Sequence, residues 1–129
     1  MGAPAFAVRG LRHLALRVRD VRLARAFYTD LFGLRVVWEP DARNVYLTSG
    51  DDNLALHEEP GVSPGGTLDH LGFVVATPAD VHAAAEALRA RGVPLVHEPA
   101  VHRDGSVSCY CRDPDGNLVQ ILTLPEKPA

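Results

Sequence analysis

The chain has no apolar run approaching about 18 residues, the length at which a helix begins to span a membrane. Its N-terminus lacks the apolar core of a secretory signal peptide. Positive charge is not in excess: 13 Lys and Arg stand against 16 Asp and Glu, a formal charge of −3. That balance excludes the basic field on which a nucleic-acid binder depends, so neither nucleic acid nor membrane is an expected partner. Cysteine is scarce. The two present, Cys109 and Cys111, lie two apart on one face of an expected strand, poor geometry for a mutual disulfide. Reduced thiols and a cytoplasmic setting follow as expectations. At 129 residues with 47% hydrophobic content, the chain has single-domain size and can bury a real core.

What is present is a repeat. HLALRVRD (13–20) and HLGFVVAT (70–77) open two halves that read alike, and each half reaches a near-identical stop, VWEP (37–40) and VHEP (96–99). His13 and His70 are 57 residues apart and Val37 and Val96 are 59 apart, so one unit occurs twice. A duplicated half-site places two histidines symmetrically, an arrangement that lets two modules share one metal.

Within the first unit, Leu14, Leu16 and Val18 alternate with His13, Ala15 and Arg17, the period of a half-buried strand over about 10–19. Asp20 supplies an N-cap, and Val21, Leu23, Ala24, Phe27, Tyr28 and Leu31 recur at helical spacing until Gly33. Strands are expected near 34–38, 43–48 and 53–58, with Gly50-Asp51-Asp52 turning between the last two. Pro60 through Gly66 links the modules. The second unit repeats the plan: a strand at 69–76, a capping box at Thr77–Asp80 with Pro78 at the first helical position, and a helix to Gly92. Strands follow near 94–98, 106–112 and 117–124, the last two joined by the Asp113-Pro114-Asp115-Gly116 turn.

The expected class is therefore α+β: one domain over 1–129 made of two βαβββ modules, about 10–60 and 68–125. One helix covers one face of each four-stranded sheet, and the other faces enclose a cleft toward which His13 and His70 both point. Open edge strands favour a homodimer, with the modules closing within a chain or exchanged between two. Trp38 and Phe73 line either the cavity or the core.

Two βαβββ modules, an opening histidine in each, the FYTDLFGL run (27–34) and the DPDGN turn (113–117) resemble the vicinal oxygen chelate superfamily, over about 10–124. That group includes glyoxalase I, type I extradiol dioxygenases, fosfomycin-modifying enzymes and bleomycin-resistance proteins. The resemblance implies a divalent metal held by a histidine of each module and a carboxylate on the last strand. His102, Cys109-Tyr110, Asp113-Pro114-Asp115-Gly116 and Gln120, at their spacing, resemble the extradiol dioxygenase signature more specifically. The chain departs from it at Cys109, where an apolar residue stands, and at Gln120, where a metal-binding glutamate stands. By this resemblance His13, His70 and Gln120 are metal ligands, His57 is an acid/base residue, and His102 and Tyr110 contact substrate hydroxyls. Two histidines and one oxygen donor leave room on Fe(II) for a bidentate catechol and dioxygen.

Gln120 weakens that site, because an amide oxygen can ligate but carries no charge. Either His57 or Glu58 turning inward offers a rescue, and a one-residue register shift decides which. Fe(II) is the metal this pattern implies, with Mn(II), Ni(II) or Zn(II) as alternatives. Three functions stay open: ring cleavage of a small catechol, glyoxalase-like chemistry, or metal-free binding of a drug or metabolite. Glyoxalase I would place a glutamate on the fourth strand, where this chain has Ala55 or His57. His82 and His97 read as exposed.

Overall fold

A computed structural model describes residues 2–64 and 66–125. Eight strands form two four-stranded sheets. The first contains β1 (His13–Val18), β2 (Arg35–Asp41), β3 (Asn44–Thr48) and β4 (Asn53–Glu58), in the order β1-β4-β3-β2. The second contains β5 (Leu71–Val74), β6 (Leu95–Val101), β7 (Val107–Arg112) and β8 (Leu118–Leu122), in the order β5-β8-β7-β6. The two modules are tandem copies of βαβββ, as the repeat predicts. In each, the first strand runs parallel to the last and the other pairings are antiparallel. β2 and β6 extend three residues past the expected ends at 38 and 98.

Each sheet buries one face. On β1, Leu16 and Val18 are buried while His13, Ala15 and Arg17 are exposed. On β7, Val107, Cys109 and Cys111 point into the core and both thiols are free. Desolvation raises both thiols above their ordinary range, Cys111 to about 12, so they behave as small hydrophobes.

The helices cover the buried faces. In α2 (Pro78–Ala90) the Thr77 hydroxyl and the Asp80 carboxylate cap each other's backbone N–H, completing the expected box. Val81, Ala85 and Leu88 form its buried stripe. In α1 (Val21–Ala26) Asp20 accepts from Arg22 N at 2.9 Å and Leu23 N at 3.4 Å. The helix expected to continue to Gly33 instead widens into a π-helical turn over Phe27–Leu31. Adjacent Phe27 and Tyr28 are both buried, which an unbroken 3.6-residue period cannot arrange on a narrow stripe.

The repeated V-x-E-P motif has a structural meaning in both modules. Pairing to the neighbouring strand is irregular on either side of Trp38 in β2 and of His97 in β6. Pro40 and Pro99 have no N–H to donate and sit on edge strands, where that loss is tolerated. The glutamate between ties the strand to its helix, Glu39 to Arg25 at 2.6 Å and Glu98 to Arg89. The irregularity aims Trp38 at Tyr46, with rings stacked 5.1 Å apart, and His97 at Tyr110, edge-on at 5.2 Å.

The modules meet around the DPDGN turn. Tyr28 donates to Asp113, and Asp115 accepts from the backbone N of Arg19 at 2.7 Å and its Nε at 3.2 Å. Phe73 packs on Phe32 at 4.8 Å, half-buried in the joint. Trp38, 59% exposed, is not a core residue.

Candidate functional site

His13 stands at the start of β1, opposite Asn53 on the parallel neighbour β4. Its Nδ1 lies 2.8 Å from Asn53 Oδ1. His70 immediately precedes β5, and its Nδ1 lies 2.6 Å from Asp69 Oδ1. An amide or carboxylate oxygen only accepts, so Nδ1 donates in both contacts and Nε2 is the nitrogen left free in the neutral ring. An imidazole oriented from behind in this way is prepared to act as a ligand. Both histidines line one cavity of about 330 Å³, together with Asn53, Gly72, Leu34 and Phe73.

His57 shares the pattern. Its Nδ1 lies 2.6 Å from Asn44 Oδ1, and its ring is edge-on to Tyr46 at 5.8 Å. It occupies the same face of the first sheet as His13, Asn53 and Ala55. Glu58 takes the opposite face, where Oε2 accepts from Val21 N at 3.1 Å and caps α1. The register therefore turns His57 toward the open face and commits Glu58 to the helix.

On the second sheet, Tyr110 is the cross-strand partner of Gln120, and Arg112 that of Leu118, as the tight turn predicts. Gln120 reaches over Gly72: its Oε1 is 3.6 Å from where a Cβ on Gly72 would sit. The Tyr110 ring meets His70 edge-on at 5.7 Å. His102 is tied through Nε2 to Ser108 Oγ at 2.6 Å, so only Nδ1 of this ring is free. His102, Tyr110 and Gln120 line a separate hollow that shares no lining residue with the His13–His70 cavity. Asp104 in the same hollow is held below the usual carboxylate range by hydrogen bonds from Ser106, side chain then backbone.

The structure thus gathers the six residues singled out in the sequence into three places. His13 and His70 share one cavity, Tyr110, His102 and Gln120 share another hollow, and His57 lies on the first sheet against Tyr46. Among the described residues no three His, Cys, Asp or Glu side chains come together. The position equivalent to Gln120 in the first module is Ala55, since Tyr46 pairs with Ala55 as Tyr110 pairs with Gln120. Neither position carries a charge. The orienting residues Asn44, Asn53 and Ser108 escaped the sequence reading, because their roles arise only once the strands have folded against one another. His97 is exposed as expected, but it packs on Tyr110, and its place in the repeated V-x-E-P motif was the available signal.

Residues 10–121 match the model of the Glyoxalase/Bleomycin resistance protein/Dioxygenase superfamily. The chain belongs to that superfamily. It is 30% identical to a putative lactoylglutathione lyase of Brassica oleracea var. gemmifera over 85% of this chain and 43% of the relative. It is 32% identical to metapyrocatechase 2 of Cupriavidus necator over 95% of this chain and 36% of the relative. The chain therefore spans less than half the length of these two curated relatives. The structure of lactoylglutathione lyase from Agrobacterium tumefaciens superimposes with a TM-score of 0.76 at 27% identity, covering 90% of this chain and 94% of that one. Among the described residues no helix is long and apolar enough to cross a membrane.

Proposed function

We propose that this superfamily member is a metal-dependent, extradiol-type dioxygenase acting on a small catechol, with His13, His70 and Gln120 as metal ligands. One observation carries the reading: His13 and His70 line a common cavity, each with Nδ1 tied to an oxygen acceptor and Nε2 left to ligate. The donor set fits a divalent transition metal as two imidazoles and an amide oxygen, neutral throughout. Fe(II) in that position would bind both catechol oxygens together with dioxygen. The similarity to metapyrocatechase 2, whose name denotes catechol chemistry, supports the same choice.

The chain's own residues then divide the work. Asn44 fixes the His57 ring on the same sheet face as His13, the side from which it would act as the acid/base residue. Tyr110 offers a hydroxyl to a substrate oxygen from the strand beside Gln120. Substrate bound as an anion supplies the negative charge that Gln120 does not. A lactoylglutathione lyase activity is less well supported, because Ala55 offers no donor on β4.

Loading the purified protein anaerobically with Fe(II), then adding catechols, tests this proposal. Stoichiometric iron, oxygen uptake and a yellow ring-opened product are expected. Protein that retains no metal and consumes no oxygen rules the reading out.

Ala55 and Gln120, uncharged at equivalent positions, favour one second reading: metal-free binding of a small aromatic molecule. Tight binding that persists in EDTA, without turnover, would establish it. In either case the chain acts as a homodimer, a proposal that rests on β2, exposed along all seven residues, and that sedimentation can check.

A further inference from the structure

Beside the His13–His70 cavity lies a second one, of about 490 Å³, on the open face of the second sheet. His70 borders both and forms the wall they share. His97, Tyr110, His102 and Ser108 form its polar wall, with Asp69 and Glu98 at the rim. Most of these groups are already engaged. Asp69 holds His70, Glu98 pairs with Arg89, and Ser108 holds Nε2 of His102. Among the described residues, the His97 ring nitrogens and the Tyr110 hydroxyl have no hydrogen-bond partner within the protein. Nothing else in the molecule uses His97, yet the irregular pairing of β6 aims it at this cavity and against Tyr110.

We infer that this cavity is the subsite for the ring substituent of the substrate, and that His97 is the side chain that recognises it by hydrogen bonding. The inference rests on the catechol reading above and adds the substrate class to it. A catechol whose oxygens face His70 carries its substituent along the second sheet toward His97. The substituent is neutral and polar, such as a hydroxyl or primary amide. Two carboxylates at the rim against the single guanidinium of Arg89 give an anionic group no net attraction. A purely apolar group would leave the His97 and Tyr110 polar atoms desolvated without partners.

Ring resonances of ¹⁵N-histidine-labelled protein, metal-free and loaded with diamagnetic Zn(II), report the subsite directly, with catechol, 3,4-dihydroxybenzamide and 3,4-dihydroxybenzoate as probes. The benzamide should shift the His97 and His102 signals and bind about 3- to 10-fold tighter than catechol, the yield of one added hydrogen bond. His97→Leu and His97→Phe should both erase that advantage, the benzamide then binding no tighter than catechol to the same variant. The phenylalanine variant keeps a ring against Tyr110 but has no nitrogen, so an advantage that survives in it overturns the proposal. So do signals that leave His97 unmoved, a preference for the benzoate, or no binding by any probe. Oxygen uptake is measured separately: its absence with these shifts intact removes the ring-opening chemistry and leaves the subsite standing.

Discussion

The Tyr28 hydroxyl donates to Asp113 Oδ2 at 2.7 Å across the joint between the modules, joining the FYTDLFGL run to the DPDGN turn. The two segments that resemble the superfamily most closely thus hold each other. Asp113 also accepts from the backbone N of Asp115 and of Asn117 and from Asn117 Nδ2, each at 2.9 Å, so its charge is fully used. Tyr28→Phe removes one donor of four and leaves the turn intact. The expected cost is about 1.5–3 kcal/mol, the range for a hydrogen bond to a charged group, read as a lower urea midpoint. A midpoint unchanged from the parent would mean that the joint does not depend on this contact.

Alkaline stability follows from the same residue. Burial, then the adjacent Asp113 charge, pushes the Tyr28 phenol far above its ordinary range, and burial pushes the Cys111 thiol up to about 12. A raised folded-state pKa means that the folded chain keeps protons the unfolded chain gives up. Stability is therefore complete below the unfolded values, about 8.5 for Cys and 10 for Tyr, and declines as pH rises beyond them. Urea midpoints should fall between about pH 9 and 12, and the fall should be shallower in Tyr28→Phe and in Cys111→Ala.

The ion pairs of the repeated motif should contribute little. Arg25 approaches both oxygens of Glu39, at 2.9 and 2.6 Å, but the two side chains are 41% and 40% exposed. Arg25→Ala and Arg89→Ala are each expected to cost no more than about 1 kcal/mol, and the double variant about the sum. A larger loss for either would mean that the glutamate holds the irregular strand in place. A changed near-UV signal from Trp38, the only tryptophan, would report that displacement.

These variants separate what local pattern reveals from what it does not. Alternation along β1 marked its inner face because burial acts on each strand separately. Asp20, Thr77 and Pro78 announced their helices because a cap lies within three residues of what it caps. The tight turn fixed Tyr110 opposite Gln120 for the same reason. The π-helical turn at Phe27 was not legible, since its cause is the packing of Tyr28 against another module. Nor were the partners of the histidines, apart from Asp69 next to His70. Asn53 meets His13 only after β1 pairs with distant β4, and Asn44 meets His57 only once the β3–β4 register is set. The choice between Ala55 and His57, and between His57 and Glu58, waited on that same pairing.

Gly72 tests whether the placement of Gln120 matters. A Cβ there would lie 3.0 Å from Leu122 Cδ2 and 3.6 Å from Gln120 Oε1. Leu122 can yield by a few tenths of an ångström, and alanine gains about 0.4–1 kcal/mol from the unfolded chain, so Gly72→Ala should be nearly neutral in stability. The methyl meets the Gln120 amide oxygen at ordinary van der Waals distance, so it narrows the room the amide has to turn toward a metal. Retained Fe(II) or Mn(II), measured after gel filtration, should fall relative to the parent while the thermal midpoint holds. Equal metal retention would detach Gln120 from the ligand set.

Gln120→Glu is the converse experiment. The carboxylate supplies the charge absent from both Gln120 and Ala55, on the strand position that faces Tyr110 across the hairpin. Without metal, it lies on a partly exposed sheet face and should cost little stability. With metal, an anionic oxygen replaces a neutral one beside two imidazoles, and affinity for Fe(II), Mn(II) or Zn(II) should rise by more than about 10-fold. If catechol binds as an anion that completes the charge of the parent site, the same change should weaken catechol binding while strengthening metal binding. Competition against a fluorescent chelator measures the first effect and calorimetry on the metal-loaded protein the second. Affinities that move together, or a metal affinity that does not rise, would mean that residue 120 lies outside the coordination sphere.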